Sequence, residues 1–466
     1  MFASTIYQQR RRTLASRLGS GIVLFPGNED SPMNYPDNCY HFRQDSSFLY
    51  YFGIDFPGIT ALIDIDENRE ILFGDNYTID DIVWMGPQPT MEERAARVGV
   101  EDVRPAGRIA SYLAQALQHH RQIHFVLPYQ ASVRLKLAGW LDCHPSDLEN
   151  RVSMPLTMAI IAQREIKSAE EIAEIEKGVD ISVDMHIAAM QTARPGICEA
   201  EVAASVYQIA LAAGGDISFP IIATKNGQTL HNHYHGHLLK DGDLFLLDAG
   251  AETPTHYCGD LSSTFPVGPR FSDRQKMMYE ISLQSHYTAI EHLAEGVTYR
   301  DVHFAVCRKI ADNMKALGLL KGNTDDIVAA GAHALFLPHG LGHQMGLDVH
   351  DMENLGEVYV GYEQGENKST QFGLKSLRFA KKLRQGHVFT VEPGLYFIPE
   401  LMDLWKQRHI NDDFINWKEV EKWRDFGGIR NEENYTISSE GPRRLGHKIK
   451  PKTVEEVEAV TAQCRG

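Results

Sequence analysis

Acidic residues and histidines recur at the ends of apolar runs in the second half of the chain. Asp248 closes Leu-Phe-Leu-Leu, Asp260 opens Leu-Ser-Ser-Thr-Phe, Glu392 closes Val-Phe-Thr-Val, and Glu432 follows Gly-Ile-Arg-Asn. His339 and His343 flank Gly-Leu-Gly, and His350 ends Leu-Asp-Val. A carboxylate drawn inward with a buried strand end stays charged only if it is paired or holds a metal. These positions lie far apart in sequence, so the fold must bring several strand ends to one place. A hairpin joining Asp248 to Asp260 supplies the first such meeting.

Charge then limits what the cluster holds. Four carboxylates and a neutral imidazole are half neutralised by one divalent ion and balanced by two, so the count favours a dinuclear site. Hard oxygens with one nitrogen suit five- or six-coordinate Mn²⁺ first, with Zn²⁺ or Co²⁺ as alternatives, over a closed tetrahedral zinc. Two ions sharing carboxylates can activate water against an amide, which is hydrolase chemistry. His339 and His343 have the spacing of a helical zinc pair, but Gly340 and Gly342 disfavour a helix and the glutamate of His-Glu-x-x-His is missing.

Composition excludes other classes. The chain has 466 residues, which at roughly 150 per domain makes two or three units. Its net charge of −16 argues against a phosphate-tracking surface, and hence against nucleic acid as partner. No apolar stretch approaches the ~20 residues of a bilayer span. The Arg-rich start reads as an amphipathic helix rather than a leader, since no apolar region and cleavage site follow. Cys39, Cys143, Cys198, Cys258, Cys307 and Cys464 form no Cys-x-x-Cys pair, so a reducing cytoplasm is expected.

Short β-rich runs at 21–25, 59–65, 70–73 and 123–127, with a helix around 109–119, predict an α/β domain over residues 1–163. Ser168-Ala-Glu-Glu then has capping-box spacing and opens a long helix with Ile172, Ile175, Val179 and Val183 on one face, setting a boundary near Arg164. Further helices are expected at 200–213, 272–295 and 299–317, and strands at 244–248 and 261–267. The alternating His231, His233, His235 and His237 could line one strand face; for the last three a solvated loop is expected. Trp405, Trp417 and Trp423 read as packing residues, and the basic run 447–452 as solvated surface.

Five motifs in order carry a resemblance: Leu-Asp-Ala-Gly at 247–250, Gly-Asp-Leu-Ser-Ser-Thr-Phe-Pro-Val at 259–267, Pro-His-Gly-Leu-Gly-His at 338–343, Thr-Val-Glu-Pro-Gly-Leu-Tyr at 390–396 and Gly-Gly-Ile-Arg-Asn-Glu at 427–432. They resemble the pita-bread metallopeptidases: methionine aminopeptidase, aminopeptidase P and prolidase. The segment at 42–53 resembles the N-terminal domain of the proline-specific members. The resemblance implies an α/β domain of the aminopeptidase P N-terminal type, followed over residues 164–466 by an α+β pita-bread (creatinase/aminopeptidase-like) catalytic domain, and a homodimer or higher homo-oligomer.

It also implies roles. Asp248 would chelate one metal, Asp260 and Glu432 would bridge two, His343 would bind the other, and Glu392 would be both ligand and proton shuttle. His231 and His350 match active-site histidines that meet the substrate, while His339 and Arg430 look like supporting or substrate-orienting groups. Arg378 matches the arginine to which the resemblance to prolidases assigns the substrate's free carboxylate. Two departures from the family pattern stand out: the Asp248 to Asp260 interval is one residue longer than usual, and Asn431 stands where an aliphatic residue is usual between Arg430 and Glu432.

The implied activity is hydrolysis of the bond before proline. Residues 374–380 and the long segment 397–427 resemble prolidases, favouring an Xaa-Pro dipeptidase; the alternative is an Xaa-Pro aminopeptidase acting on longer peptides. Two other readings remain: a non-catalytic pita-bread binding module, opposed by the five filled ligand positions, and phosphotriester hydrolysis as a side activity.

Overall fold

Ile22–Pro26 (β1), Thr60–Asp64 (β2), Arg69–Phe73 (β3), Asp102–Arg104 (β4) and Ile123–His124 (β5) form one mixed sheet in the order β4-β3-β2-β1-β5. The three central strands pair antiparallel and both edges parallel. The computed structural model describes residues 1–463, so Cys464 lies outside the described residues. The chain divides into two units, Met1–Arg164 with Asn354–Gly356, and the rest.

In the first unit Ile22, Leu24, Leu62, Ile71 and Phe73 pack against Ile109, Leu113 and Ala116 of the helix Ile109–Gln118. The run expected at 123–127 pairs over only two residues. Ser4–Leu18 (α1) is a helix, as read, yet its buried face is Tyr7, Arg10, Arg11 and Leu14 rather than purely apolar. Ser46–Phe52 (α2) is capped by Asp45, whose side chain accepts from the Phe48 N–H. Arg10 and Arg11 donate to the Tyr50 and Tyr51 carbonyls at the end of α2, 3.0 and 2.9 Å away. Arg11 also donates to Val98, just past the helix Met91–Arg97. Two buried guanidinium groups thus fill acceptors that helix ends leave open. Between these lies Ile79–Met85 (α3), which buries none of its residues.

The second unit opens with Ala169–Thr192 (α4), capped reciprocally by Ser168 and Glu171, with Ile175, Val179 and Val183 buried and Ile172 half-buried. Helices Glu199–Ala212 (α5), Asp273–His292 (α6) and Tyr299–Ala316 (α7) follow, within a few residues of the predicted limits. Leu244–Ala249 (β6) and Leu261–Pro266 (β7) pair antiparallel, Asp248 opposite Ser262. Val388–Val391 (β8) pairs with Glu433–Ser438 (β11), and Gly394–Tyr396 (β9) with Gly428–Arg430 (β10). Sheets here are small and antiparallel, and their apolar sides join α4 to α7 in one core.

The extra residue between Asp248 and Asp260 leaves the β6–β7 register undisturbed. Pairing runs unbroken from Asp248 opposite Ser262 to Leu244 opposite Pro266, and the loop past Glu252 turns at His256 with φ 68°. Gly250 is fixed by proximity, since a Cβ there would lie 1.8 Å from the Gly259 carbonyl. Trp405 is buried, and Trp417 and Trp423 pack on the core. The basic run departs from expectation: Lys450 is buried and donates to the Ser262 carbonyl, and Lys452 pairs with Glu433 at 2.8 Å. The histidine tract is a loop, but His235 bonds the Ile221 carbonyl and His237 the Glu199 carboxylate, so only His233 is left solvated as expected.

Candidate metal centre

Side chains alternate along a strand, so Ser262 and Asp260, two residues apart, share a face, and Asp248 opposite Ser262 joins them. Both aspartates are buried. Glu392 follows β8, Glu432 sits between β10 and β11, and His343 lies on the segment that runs alongside β8. His343 is held by its backbone N–H, which donates to Thr390 Oγ1 at 3.1 Å. Gly342 before it has no room for a side chain: a Cβ would stand 2.2 Å from the Thr390 carbonyl.

The five donors line one cavity of about 560 Å³, together with His231, His339, His350, Arg378 and Arg430. Every candidate residue from the sequence is therefore at this cavity. Asp260, His343 and Glu432 each offer a ligand atom within 4.8 Å of the others. His343 Nε2 is 3.2 Å from Asp260 Oδ2 and 3.7 Å from Glu392 Oε1. Its Nδ1 contacts the Gln344 carbonyl at 3.0 Å, and donating there leaves Nε2 a lone pair facing two carboxylates. Acceptors facing acceptors call for a cation between them. The same demand shows at Asp248 Oδ1 and Asp260 Oδ1, buried with no hydrogen-bond partner. The residues present thus fit divalent ions.

Burial raises the Asp260 carboxyl, with the Asp248 charge adding to it, and raises Glu432, with Asp260 adding. Burial also pushes Glu392 up to about 7. Arg430 opposes this crowding: it donates to Asp248 Oδ2, to Ser262 Oγ at 2.9 Å and to the Tyr396 hydroxyl at 2.9 Å. With Lys450 behind Ser262, it supplies positive charge that a count of carboxylates leaves out. Tyr396 in turn meets His339 Nε2 at 2.9 Å, and His339 Nδ1 meets the Gly340 carbonyl at 2.7 Å. Burial lowers His339 to about 3, so the ring is neutral and accepts from Tyr396.

His350 stands edge-on to His343, ring centres 4.2 Å apart, and its Nδ1 is 2.7 Å from Glu353. Arg378 is 32% exposed and already contacts Glu353 at 3.3 Å and Glu357 at 3.4 Å. It is therefore not the fully buried, unpaired cation that a carboxylate clamp suggests. Asn431 spends its amide on Ser282, while the Glu432 N–H donates to the Ser262 carbonyl at 3.2 Å, so the substitution leaves Glu432 anchored. Sequence reasoning missed Lys450, Ser262, Thr390 and the role of Tyr396. Ser262, Thr390 and Tyr396 were inside the quoted motifs; Lys450 carried no signal.

Residues 173–439 match the family model described as metallopeptidase family M24, and residues 7–124 match the aminopeptidase P N-terminal domain. The chain is 31% identical to the Xaa-Pro dipeptidases of Rattus norvegicus and Homo sapiens, covering 98% of this chain and 92% of each relative. It is 30% identical to a probable Xaa-Pro aminopeptidase of Aspergillus niger over 95% of this chain and 93% of that protein. Among solved structures, Pseudomonas aeruginosa aminopeptidase PepP superposes with a TM-score of 0.82 at 26% identity, over 100% of this chain and 99% of that one. Escherichia coli aminopeptidase P with the inhibitor Pro-Leu gives 0.81 at 26% identity over the same shares. With its strand ends converging on one pocket and more than half its length matching the family model, the chain belongs to metallopeptidase family M24.

Proposed function

We propose that the protein hydrolyses the peptide bond before proline as an Xaa-Pro dipeptidase, with Asp248, Asp260, His343, Glu392 and Glu432 holding two divalent ions, Mn²⁺ by preference and Zn²⁺ or Co²⁺ as substitutes. The observation that carries this is the convergence of these five donors on one cavity, with buried carboxylate oxygens left unbonded. The 31% identical relatives support the substrate class. In the proposed division, residues 1–163 form the N-terminal domain and 164–466 the catalytic one.

When bound, the ions supply a nucleophile from water at neutral pH and polarise the scissile carbonyl. Glu392 takes a proton at its carboxylate and returns it to the leaving nitrogen. Arg430 orders the floor by gripping Asp248 and the Tyr396 hydroxyl, which in turn holds the His339 ring. His231 and His350 line the cavity beside Phe219, Pro220 and Val349, an apolar wall for a proline ring. Arg378 at the same cavity meets the free carboxylate of a dipeptide.

Because Arg378 is partly exposed and shared with Glu353 and Glu357, its gain on meeting a carboxylate is about 1.5–3 kcal/mol, the value of a charge-assisted hydrogen bond, rather than that of a buried pair. Arg378→Ala should raise KM for Xaa-Pro by about 10–100-fold on that scale and leave Xaa-Pro-Yaa nearly unchanged. Faster cleavage of the tripeptide by the native chain, with both substrates equally affected by the substitution, establishes the aminopeptidase reading instead. The structural likeness to aminopeptidases P is what keeps that second reading in play.

The cytoplasm suits a chain whose Cys39, Cys143, Cys198, Cys258 and Cys307 are all free thiols. Among the described residues no helix is long and apolar enough to cross a membrane. A homo-oligomer is supported by α3, where Ile79 and Val83 are 72% exposed and Trp84 85%.

A further inference from the structure

A second group of metal-ligating side chains lies outside the Asp248 cluster. His303 and Cys307 are one helical turn apart on α7, and His333 stands on the 3₁₀ turn Ala332–Leu335. One donor atom from each lies within 4.8 Å of the others. All three are buried among apolar neighbours, with Val302, Val306, Ile327, Val328 and Phe336 in the same core.

We propose that His303, Cys307 and His333 bind one Zn²⁺ ion, which ties α7 to the turn leading into the His339 and His343 segment. Three observations point there. Cys307 Sγ is 3.4 Å from His303 Nε2, close to the separation of about 3.5 Å that a sulfur and a nitrogen adopt on a tetrahedral zinc with bonds near 2.3 and 2.0 Å. Nδ1 of His333 is buried with no hydrogen-bond partner, which an apolar core tolerates poorly and which leaves a ring nitrogen free for an ion. A thiol beside two imidazoles is also a softer donor set than the oxygen-rich cavity, and it selects zinc over manganese. Burial lowers His303 to about 3 and His333 to about 4, so both rings present the neutral form that a metal requires. Binding exchanges the thiol proton, released to solvent, for the sulfur–metal bond.

Three protein donors leave a fourth position for water. The centre shares no residue with the Asp248 group, so it stands or falls independently of the peptidase reading.

Cobalt in place of zinc tests the site, because a cobalt–thiolate bond gives a near-ultraviolet charge-transfer absorption that carboxylates and imidazole alone cannot. The full-length protein, produced in cobalt-supplemented minimal medium, should show this band. Cys307→Ser should lose the band and one metal equivalent per chain while retaining the metal of the Asp248 centre. Absence of the band from the native protein, or its persistence in Cys307→Ser, overturns the proposal. Should Cys307→Ser fail to fold, His333→Asn, which removes one donor and keeps the thiol, must still lose one equivalent; an unchanged metal count then overturns it.

Discussion

Asp260 stands where the demands on the site are highest. It shares the pocket with Asp248, Glu392 and Glu432, approaches His343 at 3.2 Å, and keeps one oxygen unbonded. If it bridges two ions, Asp260→Ala should loosen both: metal content by mass spectrometry should fall toward zero and turnover should vanish, with the circular dichroism spectrum retained. Full activity at one ion per chain defeats the dinuclear assignment. Glu392→Gln keeps the shape of the side chain and removes its basicity. kcat should drop roughly 10²–10⁴-fold, as for a lost general acid–base, and a near-normal kcat removes Glu392 from proton transfer. These donors were legible because a carboxylate ending an apolar run is physically conspicuous. Lys450 was not: in sequence it belongs to a basic run indistinguishable from solvated surface, and only the fold shows its ammonium turned inward to Ser262. Arg378 was legible as a residue, but its partnership with Glu353 and Glu357 was not, since those carboxylates come from other segments.

Elements were readable where a local pattern determines them. The Ser168 capping box and the periodic apolar face of α4 announce a helix that forms as expected. The helix α2 was not foreseen because all of its residues are buried, which erases the periodicity that marks an amphipathic helix. Buried histidines are another property of packed elements. His186 on α4 sits between Ser263 Oγ at 2.8 Å and the Ala249 carbonyl at 3.0 Å, and burial lowers it to about 3. His387, ahead of β8, is also lowered to about 3 by burial, with Arg384 adding to the effect. Such rings stay neutral in the fold and take up a proton more readily once unfolded. Their stabilisation is complete above the ordinary imidazole pKa of about 6.5 and is lost as pH falls from there toward 3. Each ring should give up roughly 2–3 kcal/mol by about pH 4.5. Urea unfolding of the metal-free protein should show that decline between neutral and about pH 4.5, and His387→Asn should flatten part of it; a pH-independent midpoint contradicts the argument.

At the scale of the whole molecule, α3 presents Ile79, Val83, Trp84 and Met85 to solvent while burying nothing within its own unit. In the proposed homo-oligomer a second copy would cover this cluster. Light scattering should give at least a dimer for the native protein and a smaller mass for Trp84→Glu, with the thermal midpoint of the chain little changed; a native monomer removes the homo-oligomer. The wide spacing of the donors has a consequence for how the molecule is made. A ribosome releases Asp248 and Asp260 first, His343 and Glu392 later and Glu432 last, so a nascent chain lacks a complete coordination shell until Glu432 has emerged. Metal acquisition therefore belongs to the finished polypeptide, and a messenger truncated before Glu432 yields a protein with no competent centre.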